Sequence, residues 1–520
     1  MTMRSQYWEW SKPSLVLAIV TLLFVVASWF TQRHIEAYYR GIVSSTLEKV
    51  AGNTHASIAE IRRAELANKR LGQHATDPSE LQFTAARLAN DAAMMHASRA
   101  MKFREEGEWK RAGEEMELSR MAARRTVDSM RRLGKLNGKL GAGARLWLIE
   151  ESVPSRPLMD EGWSSYWREA NSQISQSIAD WDVDETLSLK AMRLSALSSL
   201  SSALDLNLVA GMTDLNERRG EVEIVLRQVA KAADLDPRCL MIRIEGMECL
   251  EPGKGVPIAR SRFKDLLEGV VEVHGLDGRQ REMERIDSVF VSLLVLDSTD
   301  EAFAYAMNQL AAQTLVDHES LRAVLSQSVL RAIGRAYWFP DGETTNSKRL
   351  TGLIRGLFLI GGKYPQVLAF IDRIVFKTGS DGVANDVSEA LSREIDSGIA
   401  TGVRWLRDRL VLGEVEDEDT DRTSLDGVDD ELALPLLGYI GHTIRTKQCT
   451  PDIAFGAIEE MAGNWPSIGE LKVAHAMLAI ELGRDDQAIA ILSELNEKIP
   501  DNSQIQNLLV QAYERALKNR

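Results

Sequence analysis

The chain has 520 residues, 44% of them hydrophobic and 27% charged, with a net charge of −14 and a pI near 5.3. That length exceeds one ordinary core and predicts several domains or an extended repeat array. The acidic balance excludes a general affinity for nucleic-acid phosphates through the bulk of the chain. The three cysteines are too few and too scattered for a disulfide framework or a zinc cluster.

A short tail, residues 1–12, precedes an uncharged run from Pro13 to Gln32. At ~1.5 Å per residue such a helix covers roughly 30 Å, enough to cross the hydrocarbon of a bilayer. Tyr7, Trp8 and Trp10 before it and Trp29, Phe30, Tyr38 and Tyr39 after it suit the two membrane–water interfaces. Residues 13–32 are therefore expected to form a single-pass anchor. The rival, a signal peptide cut near Val25-Val26-Ala27, leaves Trp29 and Phe30 unexplained. Arg4 and Lys12 face Arg33 and Arg40 across the segment, so the positive-inside signal is nearly balanced. The short tail favours an N-inside anchor, with the remaining chain on the outer, periplasmic side of a bacterial-type inner membrane.

Residues 33–75 lack proline and carry a loose helical stripe, Ile35, Ile42, Leu47, Ile58 and Ile61, which predicts a juxtamembrane helix. Asp77 or Ser79 is placed to cap the next helix, with Pro78 at its first position. Over 76–150 a helical hairpin follows, with Ala100, Phe103, Gly107, Trp109, Ala112 and Met116 in small, aromatic and turn positions. The glycines of Gly134–Gly143 and then Pro154 and Pro157 mark a boundary.

Residues 151–413 read as helical by periodicity. Gly220, Val225, Val229, Ala232 and Pro237 have the spacing of a turn glycine, a packing face and a closing proline. Gly362, Tyr364, Val367 and Ile371 look like the turn and second helix of another unit. Val289–Leu296 is β-branched, but its helical flanks favour buried helix over strand. Glu414–Glu431 holds ten acidic residues against Arg422 alone, and its self-repulsion predicts a mobile linker over 414–431.

The C-terminal segment, 432–520, is the most regular. Pro466 and Pro500 each close an amphipathic helix pair. The interval between them matches the period of ~34 residues at which one kind of helix-turn-helix unit repeats. Gly483 fits the tight turn between helices, Ala488 allows close approach, and Ala454, Ile458 and Met461 repeat the register one unit earlier, with Cys449 where that unit's turn glycine belongs. Ile505–Leu517 is expected to cap the array with a polar face.

On these residues the chain resembles the tetratricopeptide repeat (TPR) superfamily, most closely over Leu432–Arg520. The resemblance implies an all-α solenoid, and the uncharged segment 13–32 is expected to place a single transmembrane helix before it. The resemblance further implies a non-catalytic scaffold whose repeat surface binds a protein or peptide partner.

Catalytic signals are sparse. Glu150-Glu151-Ser152 resembles the acid of helical lytic transglycosylases, which makes an envelope glycan-cleaving enzyme with Glu151 as acid the alternative. The glycine-rich substrate loop expected downstream is absent. Asp417, Asp419 and Asp421 alternate like the start of a calcium loop, but Arg422 replaces its glycine and Val428 its bidentate glutamate. Gly253-Lys254-Gly255 lacks the rest of a phosphate-binding loop, Gly141-Ala142-Gly143 follows no strand, and the eight histidines show no HxxxH or HExxH spacing. Trp163 and Trp167, four apart on a helix, suit packing better than ligand stacking. No metal site and no cofactor is expected.

Overall fold

A computed structural model describes Thr21 and residues 30–49, 57–72, 78–105, 109–136, 138–152, 172, 185–206, 215–230, 237–267, 278–312, 318–340, 346–362, 364–376, 382–411, 424–445, 447–500 and 502–519. The described residues are helices joined by turns, with no strand among them. They fall into two compact units, Met1–Leu148 and Ile149–Arg520. Most of the expected anchor, 13–20 and 22–29, lies outside the described residues. Among those described, no helix is long and apolar enough to cross a membrane.

In the first unit the single juxtamembrane helix expected over 33–75 is instead two. Helix α1 (residues 30–49) folds back on α2 (Ile58–Gly72). Lys49 pairs with Glu60 at 2.5 Å, and Arg63 and Arg70 donate to the Tyr38 and Tyr39 hydroxyls. Ser57 and Glu60 start α2 as a capping box: the Ser57 hydroxyl accepts from the Glu60 amide, and the Glu60 carboxylate accepts from the Ser57 amide. That Ser-Ile-Ala-Glu signal was present in the sequence and marks the break.

Helices α3 (Pro78–Glu105) and α4 (Trp109–Leu133) form the expected hairpin, with Pro78 at the first helical position. At 28 and 25 residues they are far longer than the C-terminal helices. Small residues bring them close: Ala86, Ala92, Ala93 and Ala122 are buried, and Ser119 and Thr126 reach across to the Ala93 and Ala86 carbonyls. Gly138, at φ +86°, turns the chain into α5 (Lys139–Ser152). A Cβ on Gly141 would stand 1.8 Å from the Leu136 carbonyl oxygen, so this glycine-rich stretch is a packed turn.

The second unit runs through α6 (Glu185–Ala203), α7 (Leu215–Val229), α8 (Pro237–Leu250), α9 (Gly255–Leu267), α10 (Gly278–Val295), α11 (Thr299–Ala311) and α12 (His318–Trp338). It continues through α13 (Asn346–Gly361), α14 (Pro365–Phe376), α15 (Gly382–Ser392) and α16 (Ser397–Val411). Most of these helices pack on their neighbours in sequence, and one apolar core extends from Leu206 to Ala512. Val289–Val295 is buried helix within α10, as its flanks predicted.

Two expectations for this unit fail. Gly220 lies inside α7, where an added Cβ would meet nothing within 4 Å, so it makes no turn. The acidic stretch is not uniformly a linker, because residues 424–431 are packed. Leu425 and Val428 are buried, and Arg355 of α13 holds Asp429 at 2.6 Å, Glu431 at 3.4 Å and Asp396 at 3.0 Å. One guanidinium shared by three carboxylates overcomes the repulsion counted from composition.

The last block is α17 (Ala433–Arg445), α18 (Pro451–Asn464), α19 (Gly469–Glu481), α20 (Asp485–Lys498) and α21 (Ser503–Asn519). Helices α18 and α20 begin at Pro451 and Asp485, and α19 and α21 at Gly469 and Ser503. Both steps equal the interval between Pro466 and Pro500. Each pair also packs on the next: α17 on α19, and α19 on α21. These are TPR-like helix pairs.

Candidate functional site

The repeat-signature residues divide by position. Gly483 sits at φ +74° with open space around it, so backbone conformation alone demands glycine there. The Arg484 amide then donates to the Ala479 carbonyl, closing the helix. In the preceding unit the same left-handed position is taken by Lys447, at φ 59°, with Gln448 donating to Thr443. Cys449, aligned with Gly483 by sequence, is instead buried just beyond that turn. Ala454 and Ala488 are fully buried, and Pro466 and Pro500 lie in the turns after α18 and α20.

Elsewhere the signature is mixed. Gly362 is a turn residue and a contact: its added Cβ would meet the Pro435 Cβ at 2.6 Å and the Phe358 carbonyl oxygen at 2.7 Å. Tyr364 leads into α14, its amide donating to Gly361. Pro237 opens α8 at its first position. Gly107 lies outside the described residues; Trp109 and Ala112 are helical, with side chains that also lie outside them.

The same holds for the chemistry singled out from sequence. Glu151 sits in the last turn of α5 with its side chain outside the described residues, as are Trp163, Trp167, Asp417, Asp419 and Asp421. Among the described residues no group of acids, histidines and cysteines is placed to hold a metal. The amides of Gly253, Gly255 and Val256 converge, but the Glu248 carboxylate already accepts all three. An anion is therefore not needed there. Cys239 and Cys249 are buried thiols on α8, in an apolar cluster.

Two features stand out among the described residues. The first is α21. Val510 and Tyr513 fall one repeat interval after Ala476 and Ala479, which are fully buried, yet are 56% and 48% exposed. Leu517 continues the same stripe. These positions are thus exposed on α21, and the polar outer face expected of this helix is broken by three apolar residues.

The second is a cavity of about 90 Å³ between α6, α8, α10 and α12. It is lined by Arg193, Arg238, Glu245, Glu284, Asp287 and Arg331, together with apolar side chains such as Leu197, Met241, Met283 and Val324. Arg331 donates to the Glu245 carboxylate at 3.2 Å, both nearly buried, and to the Ser328 hydroxyl at 3.0 Å. Ser328 in turn donates to Asp287 at 2.6 Å, and Arg193 pairs with Glu284 at 3.3 Å. Burial pushes the Asp287 carboxyl up to about 7. Arg331 and Ser328 oppose the rise, while Glu284 and Glu245 add to it. The partners lie 86 and 91 residues apart along the chain, so no local spacing announced them.

No family model matches the chain, and no curated protein matches it. Among solved structures it is similar to the APC/C hetero-tetramer Cut9-Hcn1, at 11% identity over 92% of this chain and 96% of that one, with a TM-score of 0.24. A score of that size carries no argument about function. The helix-pair fold stands on the shared register of α18–α21 and the contacts between successive pairs.

Proposed function

We propose that the chain is a membrane-tethered scaffold that captures a protein partner by extending its own helix stack. The observation that carries this reading is the open face of α21. Helix α19 covers the equivalent positions with its neighbours, and on α21 larger apolar side chains, Val510, Tyr513 and Leu517, stand there instead. An amphipathic helix laid on that stripe would bury them by the contacts the array already uses. The uncharged segment 13–32 supports a single-pass anchor, with the helical body on the outer side of a bacterial-type inner membrane.

The test is crosslinking in membranes, followed by capture through the full chain. A partner retained by the parent and by Gly220→Ala, but lost with Val510→Asp/Tyr513→Asp, supports the reading. Retention of the same partner by the double variant would remove α21 as the docking face. Fusions of a cytoplasm-only reporter to the C-terminus test topology. Reporter activity reverses the proposed orientation, and release of the body into solution replaces the anchor with a cleaved signal.

A further inference from the structure

We propose that the first unit rests one end of its helix bundle on anionic lipid headgroups, through a patch of cations where α2 and α4 end. The nearness of a bilayer rests on the anchor reading of residues 13–32, and the patch itself does not. Charge distribution is the first support. Residues 1–148 carry 23 basic side chains against 15 acidic ones, whereas 149–520 carry 39 against 61. The overall acidity therefore conceals a basic unit, and the exclusion of phosphate partners drawn from the whole chain does not extend to it.

Folding gathers that excess at one place. Lys69 and Arg70 occupy the last turn of α2, Arg131 and Arg132 the last turn of α4, and Lys135 the turn after it. Asn68 of α2 donates to the Leu81 carbonyl near the start of α3, and Thr126 of α4 reaches the Ala86 carbonyl slightly further along. Both helix ends thus lie at the same end of the bundle. All five cations are exposed. Arg70 bonds the neutral Tyr39 hydroxyl, and among the described residues the other four pair with no carboxylate. Glu36, Glu80 and Asp128 bring carboxylates to this end without pairing to them.

A helix C-terminus draws cations through its dipole, but that pull fades within one turn. Arg124 and Arg125 stand roughly two turns before the end of α4. Arg87 lies well inside α3, next to the Ala86 that Thr126 reaches. All three are exposed and, among the described residues, also lack a carboxylate partner. The patch therefore exceeds what the helix ends account for.

Its position points to lipid. Helix α1 begins where the uncharged run ends and lies antiparallel to α2, with Lys49 against Glu60 and Tyr39 against Arg70. From Gln32 to Tyr39 the helix rises ~10 Å, about the distance over which charge acts at ~0.1 M salt. Phe30, Ile35 and Tyr38 of α1, and Leu136 beside Lys135, are exposed apolar residues at this same end. Cations spread over two helix ends with apolar side chains among them suit a fluid sheet of phosphates above hydrocarbon.

The experiment uses the full chain reconstituted into phosphatidylcholine vesicles, with or without phosphatidylglycerol, each carrying a lipid whose headgroup quenches fluorescence. The fluorophore sits on Leu136→Cys, and labelling is selective because Cys239, Cys249 and Cys449 are buried. Quenching is expected to be at least about twofold stronger with phosphatidylglycerol. It should be lost at about 1 M salt, where the Debye length shrinks to ~3 Å. The triple variant Arg131→Gln/Arg132→Gln/Lys135→Gln, checked for unchanged helix content, should return quenching to the neutral-vesicle level. Each cation at an anionic surface strengthens binding about fivefold, so three removed should weaken docking about a hundredfold.

Flotation of the same samples tests the anchor separately. A chain that floats with neutral vesicles and stays bound in high salt is held by residues 13–32, whether or not the patch docks. Flotation with anionic vesicles alone, reversed by salt and absent in the triple variant, supports the patch and removes the anchor. Equal quenching in both vesicles, or quenching unchanged by the triple variant, overturns the proposal. So does salt-sensitive self-association that the triple variant abolishes without any lipid-dependent quenching, since it gives the patch to the acidic segment of a second copy.

Discussion

Helices α17–α21 and helices α6–α16 share one compact unit but cohere in different ways. In the C-terminal block, buried alanines at fixed intervals let nearly equal helices approach, and ion pairs such as Arg484–Asp452 and Lys498–Glu494 sit at the surface. In the preceding block, helices of 11 to 21 residues leave gaps that long polar side chains fill. Arg218 is buried against Trp338, 3.9 Å from the ring centroid, and donates to the Ala203 and Asp205 carbonyls at the end of α6. Burial pulls its pKa down to about 10. Regular spacing makes a core from small residues, whereas irregular spacing needs specific polar partners.

The largest expected effect breaks the irregular block. Glu245→Ala strands the Arg331 guanidinium in a nearly buried place, a loss of about 3–5 kcal/mol. It should appear as a large fall in the urea midpoint; a shift below that of any surface-pair deletion in α17–α21 would erase the contrast. Next is Gly362→Ala, where α13 meets α17. The added methyl would press on Pro435 and on backbone, costing about 1–3 kcal/mol in the same assay.

Within the regular block, Gly483→Ala should cost about 1–2 kcal/mol through its left-handed backbone, and Gly483→Asn less. Equal losses for both would point to packing instead of φ. The smallest effect has the opposite sign. Gly220→Ala in α7 adds a methyl into open space and should raise stability by up to about 1 kcal/mol.

The same contrast explains what was legible. The repeat interval, the glycine of the last turn and the two packing alanines were readable because each is a local consequence of one helix pair repeating. Cys449 misled because alignment fixed the interval while the chain turned earlier, at Lys447. Gly220 misled because a glycine at turn spacing carries no sign of the helix around it. The packing of residues 424–431 was hidden for another reason: their partner, Arg355, lies far back along the chain on α13. The cavity was invisible for the same cause, since its ion pairs join helices that sequence does not place together.

The open stripe on α21 also has a kinetic side. In a stack held by neighbour contacts, a helix with an exposed apolar face opens at lower cost than one covered on both sides, because fewer contacts are broken. Backbone amides of α21 should therefore exchange with solvent faster than those of α19, whose two sides are occupied. A helix docked on Val510 and Tyr513 would cover that face and slow the exchange. Occupancy of the surface would then be readable from the protection of the helix beneath it, before the identity of the occupant is known.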